Sequence, residues 1–187
     1  MVNTTDIYER VDFSTSPFIK SEYECCKFNY CNFSNAKLTD VIFVECEFDN
    51  CNLGLAIFNR TTLRDVTFKN CKMLGLHFEN CNEFDLSVDF ENCNLENSSF
   101  YNLILKKTSF KKSKLCEADF TGSDLSSSIF DECDLTNAVF NSTNLEKADF
   151  RTSFNYSIDP EVNRIKKARF SLGGMVGLLE KYDIEIE

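Results

Sequence analysis

Residues 118–127 read Ala118-Asp119-Phe120-Thr121-Gly122-Ser123-Asp124-Leu125-Ser126-Ser127, two copies of one five-place pattern: small, Asp, large apolar, polar, variable. Stepping back by five from Phe120 gives Leu115, Phe110, Leu105, Phe100, Leu95 and Phe90. Stepping forward gives Leu125, Phe130, Leu135, Phe140, Leu145 and Phe150. An earlier run in a second register holds Phe13, Phe18, Tyr23, Phe28, Phe33, Leu38, Phe43, Phe48, Leu53, Phe58, Leu63, Phe68, Met73 and Phe78. A period of five fits neither the 3.6 of a helix nor the 2 of a strand. Keeping one large and one small residue inside every pentad requires a chain that turns a corner every five residues. Four corners close a square coil of twenty.

The twenty-residue step can be tested on the ladder itself. One face collects Phe28, Phe48, Phe68, Phe90, Phe110, Phe130, Phe150 and Phe170, and the opposite face Phe18, Leu38, Phe58, Phe78, Phe100, Phe120 and Phe140. The other two faces are mostly Leu, as in Leu53, Met73, Leu95, Leu115 and Leu135. Large and smaller faces alternating around a narrow tube fill it without voids. With ~4.8 Å between stacked backbones, about eight coils make a rod of roughly 38 Å.

The pattern resembles the pentapeptide-repeat family over about residues 11 to 170. The resemblance implies an all-β solenoid, a right-handed quadrilateral β-helix with the large and small positions pointing inward. We expect the β-helix over residues 1–170, with a register slip at 82–88 and an irregular coil at 155–163, and a C-terminal cap over 171–187.

Ten cysteines raise the question of disulfides or metal. Eight occupy the small inward position, and Cys31, Cys51, Cys71, Cys93 and Cys133 share one column with Ser113. Cysteine there is a compact buried hydrophobe. The first residues lack an apolar signal core, no apolar run is long enough to span a bilayer, and the reading is a cytoplasmic protein with reduced thiols. There is no Cys-x-x-Cys pair and one histidine, so no metal site is expected. Cys25 and Cys116 lie outside the small position and are the thiols expected to react. Walker, Rossmann and nucleophile-elbow patterns are missing, so neither an enzyme nor a cofactor is expected. Asn50, Asn70 and Asn92 should stack at one corner, where Asn tolerates left-handed angles.

The formal net charge of -10 argues against direct binding of nucleic acid and permits a protein partner with a basic surface. Outward acids concentrate before about Glu91. Against them stands one basic cluster, Lys106, Lys107, Lys111, Lys112 and Lys114. His77 is expected in solvent, without a carboxylate partner.

Departures from a repeat are where interaction residues gather. Between Phe78 and Phe90 the segment Glu83-Phe84-Asp85-Leu86-Ser87 replaces a regular pentad and adds two residues. The candidate partner-binding residues are Glu79, Glu83, Phe84, Asp85, Leu86, Asp89 and Glu91, with either an exposed Phe84 or Leu86, or one of them tucked back inside.

Asp159-Pro160-Glu161 reads as a turn or helix start. Leu172, Met175, Val176, Leu178 and Leu179 suit one face of a short capping helix, and Tyr182, Ile184 and Ile186 alternate like a strand. These are the candidates for the cap and for a two-fold dimer. The run from Val176 to Ile186 resembles the C-terminal segment of Qnr-type quinolone-resistance proteins. That resemblance implies homodimerisation through the C-terminal end, and a DNA-like acidic rod that binds DNA gyrase or topoisomerase IV and affects quinolone susceptibility. The alternative is a general interaction or assembly scaffold. Ten net charges over the rod give about one per 4 Å, thinner than the one per ~1.7 Å of B-DNA.

Overall fold

The computed structural model describes residues 2–15 and 18–185. The chain winds into a parallel β-solenoid in which each residue sits beside the one twenty positions on. One sheet joins β1 (Val2–Thr4), β3 (Glu22–Glu24), β5 (Ile42–Val44) and β7 (Thr62–Arg64). The other holds seven strands: β2 (Ile7–Glu9), β4 (Lys27–Asn29), β6 (Glu47–Asp49), β8 (Val66–Lys69), β9 (Val88–Glu91), β10 (Ser109–Lys111) and β11 (Ile129–Asp131). Registers are in phase, with Phe28 beside Phe48 and Phe110 beside Phe130. Across the slip the step becomes 22 residues: β8 pairs β9 with Val66 beside Val88, and bridges join Lys72 to Asn94 and His77 to Ser99.

The seven-stranded sheet spans about six turns, fewer than the eight coils expected. Beyond Asp131 that face continues only through isolated bridges, Ile129 to Asp149 and Asp149 to Arg169. The side-chain ladder of this face nevertheless continues, with Phe170 stacked on Phe150 at 5.5 Å.

Most corners are made by a residue with left-handed backbone, two places after the ladder residue: Tyr30 (φ 55), Asn50 (54), Asn70 (53), Asn92 (53), Lys112 (51) and Glu132 (53) down one corner alone. A left-handed non-glycine residue costs about 1–2 kcal/mol, less for Asn and Asp. The corner asparagines lower that cost and form a ladder: Asn70 Nδ2 donates to Asp49 Oδ1 at 2.8 Å, and Asn92 Nδ2 to Asn70 Oδ1 at 2.8 Å. The Asn or Asp before each ladder residue works locally. Its side-chain oxygen accepts the backbone N–H two residues on, as Asp119 does from Thr121 (2.8 Å) and Asn94 from Glu96 (3.0 Å).

The small inward position does more than fill space. Cys51 Sγ donates to the Phe28 carbonyl at 3.1 Å, Cys133 to Phe110 at 3.3 Å, Thr61 to Leu38 at 2.8 Å and Ser128 to Leu105 at 2.7 Å. Each reaches a ladder carbonyl one coil back, 23 residues earlier. Buried carbonyls need partners, which explains why Cys, Ser and Thr interchange in these columns.

Inside the tube the Phe columns stack. Phe110 and Phe130 lie 4.9 Å apart at 7°, Phe100 and Phe120 4.9 Å at 5°. The two columns meet edge to face, as Phe120 does with Phe130 at 90°. Phe28, Phe48, Phe68, Phe90, Phe110, Phe130 and Phe150 are fully buried, and Phe170, at the end, is half-buried.

The C-terminal cap is a short helix, α1 (Val176–Leu179), between 3-10 turns at Gly173–Met175 and Glu180–Tyr182. A Cβ at Gly177 would collide with the Tyr156 carbonyl oxygen, so only glycine lets the helix dock there. Lys181 Nζ ties the cap to the 159–161 turn, 2.7 Å from Asp159 and 2.6 Å from Glu161, and Tyr182 Oη donates to Glu161 at 2.9 Å. Held in that turn and followed by left-handed Asp183 (φ 49), Tyr182 does not start the expected strand; residues 183–185 form none. Ile186 lies outside the described residues.

Candidate interaction surface

The slip is resolved within one corner. Asn82 still donates its backbone N–H to Thr61, as a regular coil would, and Leu86 N donates to Glu83 O at 3.4 Å. Glu83 therefore stands at the ladder position of its pentad, where a carboxylate cannot stay buried, and it turns out to solvent. Leu86 packs against the core in its place, and with Ser87 makes up the two extra residues. Phe84 is thrown outward and is 83% exposed, far above the other phenylalanines. Of the two alternatives for this segment, Phe84 is out and Leu86 is in.

Along the chain the charge of this segment is one-sided, although Arg64 and Lys106 stand on the coils to either side of Phe84. From Met73 to Leu105 the chain holds Glu79, Glu83, Asp85, Asp89, Glu91 and Glu96 and no Lys or Arg. Glu83, Asp85 and Asp89 are exposed, while Glu79 and Glu91 are partly covered. Glu79 binds His77, with Oε1 2.8 Å from Nδ1. His77 thus has the carboxylate partner not expected for it; the 3-10 turn Phe78–Asn80 brings the two together.

Acidic columns do not run the length of the rod. On the face of Phe28 the outward sequence is Glu9, Asn29, Asp49, Lys69, Glu91, Lys111, Asp131, Arg151, alternating in sign from Asp49 on. Lys69 sits 2.6 Å from Glu47, and Lys111 3.3 Å from Glu91. Across the tube Asp40 bridges Arg60 (2.6 Å) and Lys20 (2.8 Å), and these two cations hold its carboxyl well below the usual carboxylate range. Within the lysine cluster, Lys106, Lys111 and Lys112 face acids of neighbouring coils, Asp124, Glu91 and Glu132.

Among the described residues no group of acids, histidines and cysteines could hold a metal ion, and no helix is long and apolar enough to cross a membrane. All ten thiols are free. Burial pushes Cys46 and Cys133 up to about 12, away from the thiolate that reacts. Cys25 is exposed and Cys116 partly so.

The cap leaves apolar surface outside. Leu178 packs against the core and Leu179 is half-buried, whereas Leu172 (87% exposed), Met175, Val176, Tyr182 and Ile184 face away from it. Beneath the helix lies an open cleft of about 830 Å³ lined by Ser153, Asn155, Tyr156, Gly174 and Val176.

Nothing among curated proteins matches this sequence. Of solved structures, full-length QnrB1, a plasmid-mediated fluoroquinolone resistance protein, superposes with a TM-score of 0.59 at 18% identity, covering 98% of this chain and 100% of that one. A trypsin-treated variant of the same protein gives 0.54 at 18% identity, covering 98% and 99%. HetL, a pentapeptide repeat protein involved in heterocyst differentiation regulation in the cyanobacterium Nostoc, gives 0.47 at 15%, covering 90% and 84%. The sequence profile of the pentapeptide repeat region matches residues 41–120 and 83–157, and that of eight pentapeptide repeats matches 26–54. With more than half its length matched, this chain belongs to the pentapeptide-repeat family.

Proposed function

We propose that this chain is a non-catalytic docking scaffold whose contact element is the slip loop, and whose partner is a protein with a basic surface. The observation that carries the reading is Phe84, 83% exposed in a stretch of six acids without a single base. An exposed aromatic anchor on a chain segment of one sign of charge supplies both burial and orientation to a complementary partner. Glu79, Glu83, Asp85, Asp89 and Glu91 steer; Phe84 anchors; Leu86 holds the loop to the core.

Type II topoisomerase is the partner we put first, on the full-length likeness to QnrB1 and the resemblance of the C-terminal segment. The mixed-sign columns weigh against mimicry of duplex DNA along the whole rod and favour a contact at the loop. Gyrase supercoiling is the test, with and without ciprofloxacin. At a few micromolar the protein should change supercoiling or its inhibition by the drug, and Phe84→Ser should lose the effect. No change in either assay removes the topoisomerase and leaves the scaffold with another basic partner.

The exposed residues of the cap support a homodimer through the C-terminal end, with Leu172, Met175 and Val176 at its centre. A single 21.5 kDa species in sedimentation at micromolar concentration would sink it. The ten free thiols suit a reducing cytoplasm.

A further inference from the structure

The face whose ladder starts at Tyr23 differs from the other three in how its charge is arranged. Three columns lie on it, outward except at Val44, which is buried. The first stacks Glu22, Ile42 and Thr62, continues at Asn82, and resumes as Ile104, Asp124, Asn144 and Arg164. The second, two residues on in each pentad, is Glu24, Val44, Arg64, Phe84, Lys106, Ser126, Glu146 and Lys166. The third is the left-handed corner: Cys25, Glu45, Asp65, Asp85, Lys107, Ser127, Lys147 and Lys167.

Above the slip this face carries five acids (Glu22, Glu24, Glu45, Asp65, Asp85) against one Arg64. Below it stand six bases (Lys106, Lys107, Lys147, Arg164, Lys166, Lys167) against Asp124 and Glu146. The sign inverts at the loop, and the two halves are equal and opposite. The eight levels span ~34 Å at coil spacing, against a Debye length of ~8 Å at physiological salt, so the ends act as separate charges. Among the described residues, internal neutralisation is limited to Lys106 with Asp124 and Arg164 with Glu146. Lys107, Lys147, Lys166 and Lys167 make no ion pair among the described residues, and all four are exposed.

A surface that is acidic at one end and basic at the other is complementary to itself when turned end for end. We propose that the Tyr23 face binds a second copy of this chain, side by side and antiparallel, about a two-fold axis that crosses the face between the levels of Phe84 and Lys106. Such an axis keeps each column on its own column and reverses its order. It sets Glu22 against Arg164, Glu24 against Lys166, Glu45 against Lys147 and Asp85 against Lys107, each twice. No like charges meet: Arg64 faces Ser126, Asp65 faces Ser127, Thr62 faces Asp124 and Val44 faces Glu146. At the centre Phe84 of one copy lies on the Lys106 stem and beside Ile104 (61% exposed) of the other. A parallel pairing, about an axis along the rod, would keep acidic levels on acidic levels and basic on basic, Glu24 on Glu24 and Lys166 on Lys166. The pairing stands independently of the docking reading; where both hold, a second copy and an outside partner compete for Phe84.

The test is a charge swap, read by sedimentation velocity at low salt, with Leu172→Asp in every chain to keep the cap surface out of the measurement. One chain carries Glu24→Lys and Glu45→Lys, the other Lys147→Glu and Lys166→Glu; all four sites are on the surface, and circular dichroism checks that the coil is intact. The parent should associate to twice 21.5 kDa and dissociate as salt rises. Each swapped chain alone should associate at least about tenfold more weakly, and an equimolar mixture should recover the parental dimer, because all four swapped contacts are then opposite in sign. A parent that stays at 21.5 kDa at ~0.1 mM, or a mixture that stays as dissociated as its components, overturns the proposal.

Discussion

Between Tyr8 and Phe48 the tube carries aromatic rings on all four sides, whereas from Phe90 to Phe150 Phe columns alternate with Leu columns. The difference shows in the ring geometry. In the later coils successive rings of a column lie within 5–11° of parallel, and neighbouring columns meet at 78–90°. In the earlier coils Phe18 meets Tyr23 at 37° and Phe43 at 40°, neither stacked nor perpendicular. A Leu between two Phe columns leaves room for both preferred aromatic geometries at once. Four aromatics around one level crowd the axis, and some rings must tilt. Backbone follows: the four-stranded sheet on the Tyr23 face ends at Arg64, and beyond the slip that face is held by isolated bridges.

The sharpest way to break this comparison is Phe120→Ala. Its ring is stacked between Phe100 and Phe140 and meets Phe110 and Phe130 at their edges, so urea denaturation should show a loss of about 3–5 kcal/mol. Phe33→Leu, which gives an early coil the residue found at Leu53 one coil on, should cost under about 1.5 kcal/mol. Equal losses would mean that the two halves are packed alike. The small columns come next. Ser128→Ala leaves the Leu105 carbonyl with only the longer bond from the Thr108 N–H (3.3 Å) and should cost about 1 kcal/mol. Cys133→Ser should cost less than about 1 kcal/mol, since Ser113 already fills that column and a hydroxyl replaces a weak donor.

A smaller effect concerns pH. Asp40, held below the ordinary carboxylate range by Arg60 and Lys20, stabilises the early coils above its unfolded value of about 4. Its contribution is lost as pH falls through the lower folded value. Asp40→Asn should therefore flatten the acid limb of the urea midpoint between about pH 5 and 2, and an unchanged limb would rule the pair out as a contributor. Last, one thiol of each half is open. Cys25 and Cys116 should react with Ellman's reagent in the native protein and the other eight only on unfolding, without any change in stability. More than two fast thiols would place a cysteine column outside the core.

Most of the architecture was legible because each inward position repeats at a fixed step, so Phe28 announces Phe48 and Cys31 announces Cys51. The corner asparagines were legible for the same reason. What escaped was whatever depends on a local turn: His77 meets Glu79 only through the 3-10 turn between them, and Lys181 draws Tyr182 into a turn where alternation suggested a strand. The coil count was overstated because the ladder counts side chains, and bridges beyond Asp131 do not make strands. In the slip, sequence marked the segment but not which residue would turn inward, since Glu83, Phe84 and Leu86 compete for one place. The inversion of charge on the Tyr23 face emerges only when Leu86 and Ser87 are identified as the extra residues. Until then the columns above and below cannot be aligned.

That slip has a consequence for how such a chain changes length. Two added residues are absorbed between Asp85 and Val88, while Val66 pairs with Val88 and Phe68 with Phe90 as though nothing had been inserted. Entropy penalises a longer surface loop only slowly, about 0.6 kcal/mol per doubling. The corner after Asp85 is therefore a socket: a foreign peptide spliced there would be displayed on a rigid rod, and a lineage could lengthen this loop without renegotiating a single coil.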